Sequence, residues 1–212
     1  MIQIASFTFG PFQENTYILH DETNECVIID PGCQSLEEKN TLAKYIEDHK
    51  LKPVKLLLTH THIDHILGNN FVCGKYNLKP EVHEFEVPML QNVKMIGDMY
   101  GIPAEPSPDA ETLLTEKNTV RFGNSELKIF FTPGHSLGGL CFYNENEKFI
   151  IAGDVLFNES IGRTDLPGGD YATLIKGIRE KLFSLADDFK VYSGHGPATS
   201  IGHERKYNPF LS

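Results

Sequence analysis

Short runs of apolar and β-branched residues recur along the first half of the chain, as is typical of strands. These runs lie at 2–9, 15–19, 25–30 and 54–58. After the third run, Ser35 and Glu38 form a capping-box signature, which predicts a helix that continues to about His49. Pro53 is expected to separate this helix from the fourth strand. The order of strand, helix and strand favours stacked α/β layers over an all-β fold.

The second half of the chain repeats this layered pattern, with strand-like runs at 120–122, 127–132, 140–143 and 149–152. Helical spacing of apolar residues predicts helices over 84–100 and 171–183, with Asp170 as the N-cap of the second. Phe210 and Leu211 are expected to pack against the core. A length of 212 residues with 40% hydrophobic content fits one globular domain, 1–212.

Four candidate metal ligands lie within six consecutive positions after the fourth strand, namely His60, His62, Asp64 and His65. The residues that follow have helical spacing, so the ligands are expected on a strand-to-helix loop. A set of His and Asp without thiolates is more typical of a catalytic than a structural metal site. In an extended loop, His60, His62 and Asp64 alternate in phase while His65 points elsewhere, which suggests two neighbouring metal positions. The alternative is a surface loop that happens to be rich in His.

Three further loops each place one candidate ligand directly after a strand and a glycine. His135 follows Pro133-Gly134, Asp154 follows Gly153, and His195 follows Gly194. A single His or Asp at a strand end is more often a cap or a turn residue. Together with the His-rich loop, however, these three positions predict one shared metal site.

The complete set resembles the metallo-β-lactamase superfamily, with Asp30-Pro31-Gly32 upstream of the His-rich loop. Within that superfamily, Thr-His-x-His-x-Asp-His, Pro-Gly-His-Ser, Gly-Asp and the late Gly-His resemble the glyoxalase II (hydroxyacylglutathione hydrolase) branch. The Gly162-Arg163-Thr164-Asp165 stretch is similar to its small bacterial relatives. The resemblance implies an α/β fold, a four-layer αββα sandwich, with a two-metal site at one edge.

The resemblance also implies roles for individual residues. One metal would be held by His60, His62 and His135, the other by Asp64, His65 and His195, and Asp154 would bridge the two. Asp30 would support the first metal loop from behind the ligands, although an Asp before Pro-Gly is equally typical of a plain turn.

Two divalent cations would lower the pKa of a shared water, and the resulting metal-bound hydroxide would attack a carbonyl. Asp154 and Asp64 are thus the catalytic candidates, and Asp64 is also a candidate for orienting the water. Zinc is the expected metal, with iron or manganese as alternatives, because His and Asp ligands accept all three.

The substrate is less well specified by the residues. Arg163 stands nine positions after Asp154, where glutathione-specific relatives carry a basic residue that contacts the peptide carboxylate. Those relatives have an aromatic residue where this chain has Asp165, and a tyrosine where it has Pro197. Both departures argue against tight glutathione binding. The extra C-terminal helical domain of those enzymes is not expected here. A structural ion pair of Arg163 with Asp165 or Asp170 is an equal alternative to substrate contact.

The first hypothesis for function is therefore hydrolysis of a small acyl thioester of the S-lactoylglutathione type. A persulfide dioxygenase is the second, since such sequences also resemble this one around Arg163, but that enzyme uses one iron held by two His and one Asp. The complete second ligand set favours the hydrolase. A β-lactamase or nuclease is the third, and a noncatalytic module is disfavoured because every ligand position is filled.

Charge and composition limit the partners. The net charge of −10 leaves no basic field for nucleic acid or anionic lipid. No apolar run reaches the roughly 18 residues of a membrane helix, and no signal peptide is evident, so a cytoplasmic location is expected. The four cysteines lack paired spacing and are expected to be reduced thiols. The oligomeric state is left open.

Overall fold

Two six-stranded sheets stack face to face in the computed structural model, which describes residues 1–211. The first sheet has its strands in chain order: β1 (Gln3–Phe9), β2 (Glu14–His20), β3 (Glu25–Ile29), β4 (Lys52–Leu57), β5 (Pro80–Val82) and β6 (Thr112–Leu113). The first three strands are antiparallel, and β3 to β6 are parallel. The parallel part therefore requires crossover helices on the outer face.

The second sheet is built from the later part of the chain. Its strands are β7 (Val120–Phe122), β8 (Ser125–Phe131), β9 (Leu140–Asn144), β10 (Phe149–Gly153), β13 (Lys190–Ser193) and β14 (Thr199–Ser200). Between β10 and β13 the chain forms a separate two-stranded hairpin of β11 (Leu156–Phe157) and β12 (Ser160–Ile161). The spatial order of this sheet is β14-β13-β10-β9-β8-β7, and only β10 and β13 run parallel.

Helices cover the outer faces of both sheets. They are α1 (Leu36–Asp48), α2 (Ile63–Ile66), α3 (Asn69–Tyr76), α4 (Val87–Tyr100), α5 (Tyr171–Glu180) and α6 (Ile201–Tyr207), with 3-10 turns at Glu84–Glu86 and Leu182–Ser184. The Ser35 capping box begins α1, and Asp170 accepts a hydrogen bond from the Thr173 N–H as the N-cap of α5, both as predicted. No helix within residues 1–211 is long and apolar enough to cross a membrane.

Alternating strand residues explain the four layers. In β2 and β3, Ile18 and Ile28 pack toward the helices of the first half, in a cluster that includes Leu42 of α1. Their neighbours Leu19 and Ile29 point the other way, into the core shared by the two sheets. A third cluster joins the second sheet to α5 and α6. Because side chains alternate between the faces of a strand, both faces of each sheet are buried. The αββα sandwich is confirmed.

Three local predictions were wrong. Pro53 lies inside β4 rather than before it, at a register shift opposite Cys26 that removes the need for its missing N–H. The helix predicted over 171–183 ends at Glu180 and continues as a separate 3-10 turn. Phe210 is 45% exposed, whereas Leu211 is buried against α5 and α6 as expected.

The four cysteines, all within the described residues, are buried free thiols, as predicted.

Candidate metal centre

The chain turns from extended to helical in the middle of the His-rich loop. His60 and His62 lie on the extended part after β4, and α2 begins at Ile63, so that Asp64 and His65 project from its first turn. The phase prediction was therefore wrong for Asp64, because the backbone becomes helical before that residue. Asp64 lies with His65 rather than with the two preceding histidines.

Among the described residues, three compact groups of potential ligand atoms lie at this turn, and the third, Asp30, His60 and His65, shares its two histidines with the other two groups. The first contains His60, His62 and His135, and the second contains Asp64, His65 and His195. Within each group, one ligand atom per residue lies within 4.8 Å of the others. Side chains that follow β4, β8 and β13 thus meet at one end of the sandwich, as the sequence predicted.

Asp154 lies between the two groups, directly after β10. Its Oδ2 is 3.5 Å from the Nε2 atoms of both His135 and His195, and its Oδ1 is 3.4 Å from Nε2 of His65. One carboxylate therefore faces a histidine of the first group and two histidines of the second. This is the arrangement that the bridging prediction requires.

Several polar atoms at the centre are buried and have no hydrogen-bond partner within the described residues. They are Nε2 of His60, Nε2 of His65, Nε2 of His135 and Oδ1 of Asp154. Buried polar atoms are nearly always paired, and leaving one unpaired costs about 1–3 kcal/mol. Cations coordinated by these atoms would satisfy them, and imidazole and carboxylate suit zinc, iron and manganese alike. The residues therefore fit a divalent metal centre.

The Nδ1 atoms of His60, His135 and His195 contact fixed oxygen atoms. Nδ1 of His135 donates to the carbonyl of Arg163 at 2.7 Å, and Nδ1 of His195 contacts the carbonyls of residues 12 and 13 at 3.1 and 3.2 Å. Nδ1 of His60 lies 3.0 Å from the Thr59 hydroxyl. A hydrogen bond at Nδ1 fixes the tautomer and the ring orientation, so that Nε2 is free to coordinate.

Asp30 contacts the His-rich loop from the end of β3. Its carboxylate accepts hydrogen bonds from the N–H of Thr59 at 2.7 Å and from the Thr59 hydroxyl at 2.5 Å. Its Oδ2 also lies 3.1 Å from Nδ1 of His65. The backbone of Asp30 has a φ of 50°, a left-handed conformation that Asp tolerates better than most residues. Asp30 thus connects the end of β3 to both halves of the metal loop.

Two histidines of the first group, His60 and His62, have lowered pKa values. Burial lowers the pKa of His60 well below its usual value, and the neighbouring imidazoles add to this effect. Burial and the nearby His135 lower the pKa of His62 to about 4. Both rings therefore carry a free lone pair at neutral pH, and a cation need not displace a proton from them.

The second group behaves differently, because carboxylates surround its histidines. Burial opposes protonation of His65, but Asp154 and Asp64 outweigh burial and raise the pKa of His65 well above its usual value. Burial also opposes protonation of His195, yet the Asp64 carboxylate, 3.1 Å from its Nε2, raises the pKa. His65 in turn lowers the pKa of both carboxyls, although burial acts in the opposite direction. This group holds protons that a cation must displace.

Sequence reasoning missed two buried carboxyl groups beside the centre. Glu14, 1% exposed, accepts a hydrogen bond from the Thr16 hydroxyl, and its Oε1 lies 4.0 Å from Nδ1 of His65. Burial raises the pKa of Glu14 well above its usual value. Glu86, 3% exposed, contacts the loops on either side of the first group. Neither residue belongs to a motif, so no local pattern in the sequence identifies them.

Comparison with known proteins agrees with the geometry of the candidate metal centre. Residues 9–195 match the sequence model of the metallo-beta-lactamase superfamily. The chain belongs to that superfamily. Membership supports a metal-dependent hydrolase, and the His and Asp groups described above are its candidate metal sites.

Two curated superfamily members are similar over nearly the whole chain. A probable metallo-hydrolase, YqgX of Bacillus subtilis, is 38% identical over 205 residues, which cover 96% of this chain and 94% of the relative. The hydroxyacylglutathione hydrolase GloC of Haemophilus influenzae is 35% identical over 206 residues, which cover 95% of this chain and 94% of the relative.

Solved structures of the superfamily agree with the fold. The structure of the B3 metallo-beta-lactamase BLEG-1 has a TM-score of 0.91 at 36% identity and covers 99% of this chain and all of its own. The structure of TTHA1623 in a di-iron-bound form has a TM-score of 0.88 at 32% identity and covers 98% of this chain and all of its own. The metal in the TTHA1623 structure is iron, so the fold does not restrict the metal to zinc.

Arg163, the candidate for substrate contact or for a structural ion pair, forms an ion pair with a neighbouring carboxylate. Its Nε and Nη2 atoms each donate a 2.7 Å hydrogen bond to the carboxylate of Asp165, and both side chains are exposed. Asp170 instead caps α5. Of the two alternatives for Arg163, the pair with Asp165 is thus formed, and the guanidinium is not an open carboxylate receptor.

Proposed function

We propose that this protein hydrolyses a small acyl thioester, of the S-lactoylglutathione type, at a centre of two divalent metal ions. The observation that supports this most strongly is the pairing of two complete ligand groups, each of three residues, around the single carboxylate of Asp154. His60, His62 and His135 would hold one ion and Asp64, His65 and His195 the other, with Asp154 shared.

Divalent ions held by these residues would supply a nucleophile at neutral pH, because they would lower the pKa of water from about 16 toward about 7, and they would polarise a substrate carbonyl. The protein residues hold this chemistry in place. Asp30 and the carbonyl of Arg163 fix the ring orientations of His65 and His135. Asp64 and Asp154 are ionised at neutral pH and offset the charge of the cations. No Ser or Cys nucleophile is required.

The thioester substrate is suggested by the relative GloC, whose name is that of a hydroxyacylglutathione hydrolase, at 35% identity. The rim of the site argues for a substrate that depends little on a carboxylate contact, because Asp165 already occupies the fork of Arg163. We therefore propose a small acyl thioester whose thiol portion is not tightly bound through an anionic group.

Two alternatives share the fold but differ in chemistry. A persulfide dioxygenase needs one iron with open positions for oxygen, and the complete second ligand group argues against it. Lactam hydrolysis is the stronger alternative, since the BLEG-1 structure, a B3 metallo-beta-lactamase, is 36% identical over nearly the whole chain. The same carbonyl chemistry would serve an amide, so substrate tests must decide between them.

One assay series tests the proposal. Purified protein loaded in turn with Zn²⁺, Fe²⁺ and Mn²⁺ is given S-lactoylglutathione, an uncharged acyl thioester, a lactam, and a persulfide with oxygen uptake recorded. We expect hydrolysis of both thioesters with at least one metal, and much slower or no turnover of the lactam. Oxygen uptake with persulfide, or lactam hydrolysis faster than that of either thioester, would contradict the proposal.

A further inference from the structure

Glu86 is a buried carboxylate that contacts two separate loops of the metal centre. It lies at the end of the 3-10 turn before α4 and is 3% exposed. Its Oε2 accepts hydrogen bonds from the N–H of Thr61 at 2.9 Å and from the Thr61 hydroxyl at 2.6 Å. Its Oε1 accepts a 2.6 Å hydrogen bond from the N–H of Gly138. No ion pair of Glu86 with a basic side chain is found among residues 1–211.

The two loops that Glu86 joins are those of the first ligand group. Thr61 lies between His60 and His62, and Gly138 lies three residues after His135. The Glu86 side chain thus connects the two chain segments that carry all three ligands of that group, in addition to the backbone hydrogen bond from the Leu140 N–H to the Thr59 carbonyl. Since each ligand atom must be placed within a few tenths of an ångström, such a connection is expected to govern metal affinity.

The chemistry of the contact requires a carboxylate. Both oxygens of Glu86 accept hydrogen bonds, and an ionised carboxylate is the side-chain group that offers acceptors only. In a Gln, the NH₂ group would face either the N–H of Gly138 or that of Thr61, and one of the two connections would be lost. Position 138 must also remain glycine, because a Cβ there would lie 2.7 Å from Cγ of Glu86.

The second ligand group is held by other residues. Nδ1 of His65 contacts Asp30, and Nδ1 of His195 contacts the carbonyls of residues 12 and 13 in the β1–β2 connection. No hydrogen bond of Glu86 reaches these residues in the described part of the chain. Asp30 contacts both halves of the metal loop, whereas the hydrogen bonds of the Glu86 side chain reach only the segments that carry the first ligand group.

We propose that Glu86 is a positioning residue that tunes metal affinity at the first position, formed by His60, His62 and His135, and not at the second. This inference rests on the proposed metal centre. Its expected consequence is selective: loss of the Glu86 contacts should weaken one position by about 10–100-fold, as is typical for residues that orient metal ligands.

The test is a titration of metal-free protein with Co²⁺. Binding is measured from the visible absorption of the bound ion and, separately, by calorimetry. Two backgrounds isolate the positions: His195→Ala leaves the first position intact, and His62→Ala leaves the second. In the His195→Ala background, we expect Glu86→Gln to weaken Co²⁺ binding about 10–100-fold and to change the absorption spectrum. In the His62→Ala background, we expect no change in affinity from the same substitution.

Two controls separate positioning from general damage. Glu204 is also buried, and its carboxylate also accepts three hydrogen bonds, from Glu159, Asn208 and Thr199. Glu204→Gln therefore replaces a comparable buried carboxylate without changing a contact to the metal loops. We expect Glu204→Gln to lower thermal stability but to leave Co²⁺ binding unchanged. Gly138→Ala, which displaces Glu86 without altering it, should reproduce the selective weakening.

The outcomes distinguish this inference from the proposed function. If the unsubstituted protein binds no Co²⁺ at all, the metal centre itself is refuted and this inference with it. If it binds Co²⁺ and Glu86→Gln binds equally well in the His195→Ala background, only the role of Glu86 is refuted. Equal weakening in both backgrounds, or by Glu204→Gln, would also overturn the selective role.

Discussion

The floor and the rim of the site are built in different ways. The floor consists of the seven candidate ligands His60, His62, Asp64, His65, His135, Asp154 and His195. We call four exposed residues the rim. The carbonyls of Phe12 and Arg163 contact His195 and His135 of the floor, and the side chains of Tyr100 and Asp165 contact those of Phe12 and Arg163. Four of the floor imidazoles have their second ring nitrogen in contact with a fixed oxygen, and several coordinating atoms are left unpaired. The rim residues are exposed and contact one another, through the Phe12–Tyr100 ring contact at 5.9 Å and the Arg163–Asp165 pair.

We infer from this difference that the floor determines the type of reaction and the rim determines the preferred substrate. A rigid, unsatisfied floor fits a cation and fixes the reaction type, because coordination geometry tolerates little change. A self-paired rim can be altered without disturbing that geometry, since exposed ion pairs contribute little to stability. Substitutions in the floor should therefore abolish activity, whereas substitutions in the rim should redirect it.

The largest effect is expected in the floor, at the carboxylate shared by the two groups. Asp154→Ala removes a contact to both positions, and we expect kcat/KM for a thioester to fall by about three orders of magnitude or more, since each factor of ten is about 1.4 kcal/mol of barrier. His62→Ala should have a similar effect.

Circular dichroism of both variants should remain that of the folded protein. The matched control is Asp188→Ala, an exposed aspartate that pairs with Lys148 away from the site. Activity that survives in Asp154→Ala would remove the shared role of that carboxylate.

An intermediate effect is expected from pH, and it distinguishes the two halves of the floor. His60 and His62 have lowered pKa values and are neutral at pH 7, so loading the first position releases few protons. His65 and His195 have raised pKa values, so protons bound to them compete with a cation at the second position. Affinity at the second position should thus rise with pH, by about tenfold per unit for each proton released.

Calorimetry of metal loading in buffers of different ionisation enthalpy measures these protons directly. Fewer protons should be released when only the first position remains, as in His195→Ala. Equal proton release from the two positions would show that the floor is electrostatically uniform.

The smallest effect is expected at the rim. Asp165→Ala frees the guanidinium of Arg163, so kcat/KM for an anionic thioester such as S-lactoylglutathione should rise a few-fold, with no change for an uncharged thioester. The effect is modest because both side chains are exposed. The double variant with Arg163→Ala should lose the gain. A gain that persists without Arg163, or that extends to the uncharged substrate, would assign the effect to something other than carboxylate binding.

The floor could be predicted from sequence because its ligands follow strands in short motifs. The His-rich loop and the positions of His135, Asp154 and His195 after glycines were sufficient to bring all seven residues together. The wrong prediction concerns the local backbone. An extended loop would place Asp64 in phase with His60, but α2 begins at Ile63, and the sequence carries no strong signal for that start.

The supports of the floor were harder to predict. Glu86 is more than twenty residues from the loop it holds, and its role depends on how α4 packs against the sandwich. Glu14, the first residue of β2, reaches His65 because α2 packs against β2. Such contacts are set by tertiary structure, and one sequence without motifs at these positions does not reveal them.

The central claim is that two cations share this floor. Anomalous X-ray scattering from crystals of the metal-loaded protein, recorded at the absorption edge of the metal, tests it most directly. We expect two peaks per chain, one contacted by His60, His62 and His135, the other by Asp64, His65 and His195, with Asp154 contacting both. A single peak, or peaks away from these residues, would contradict the account.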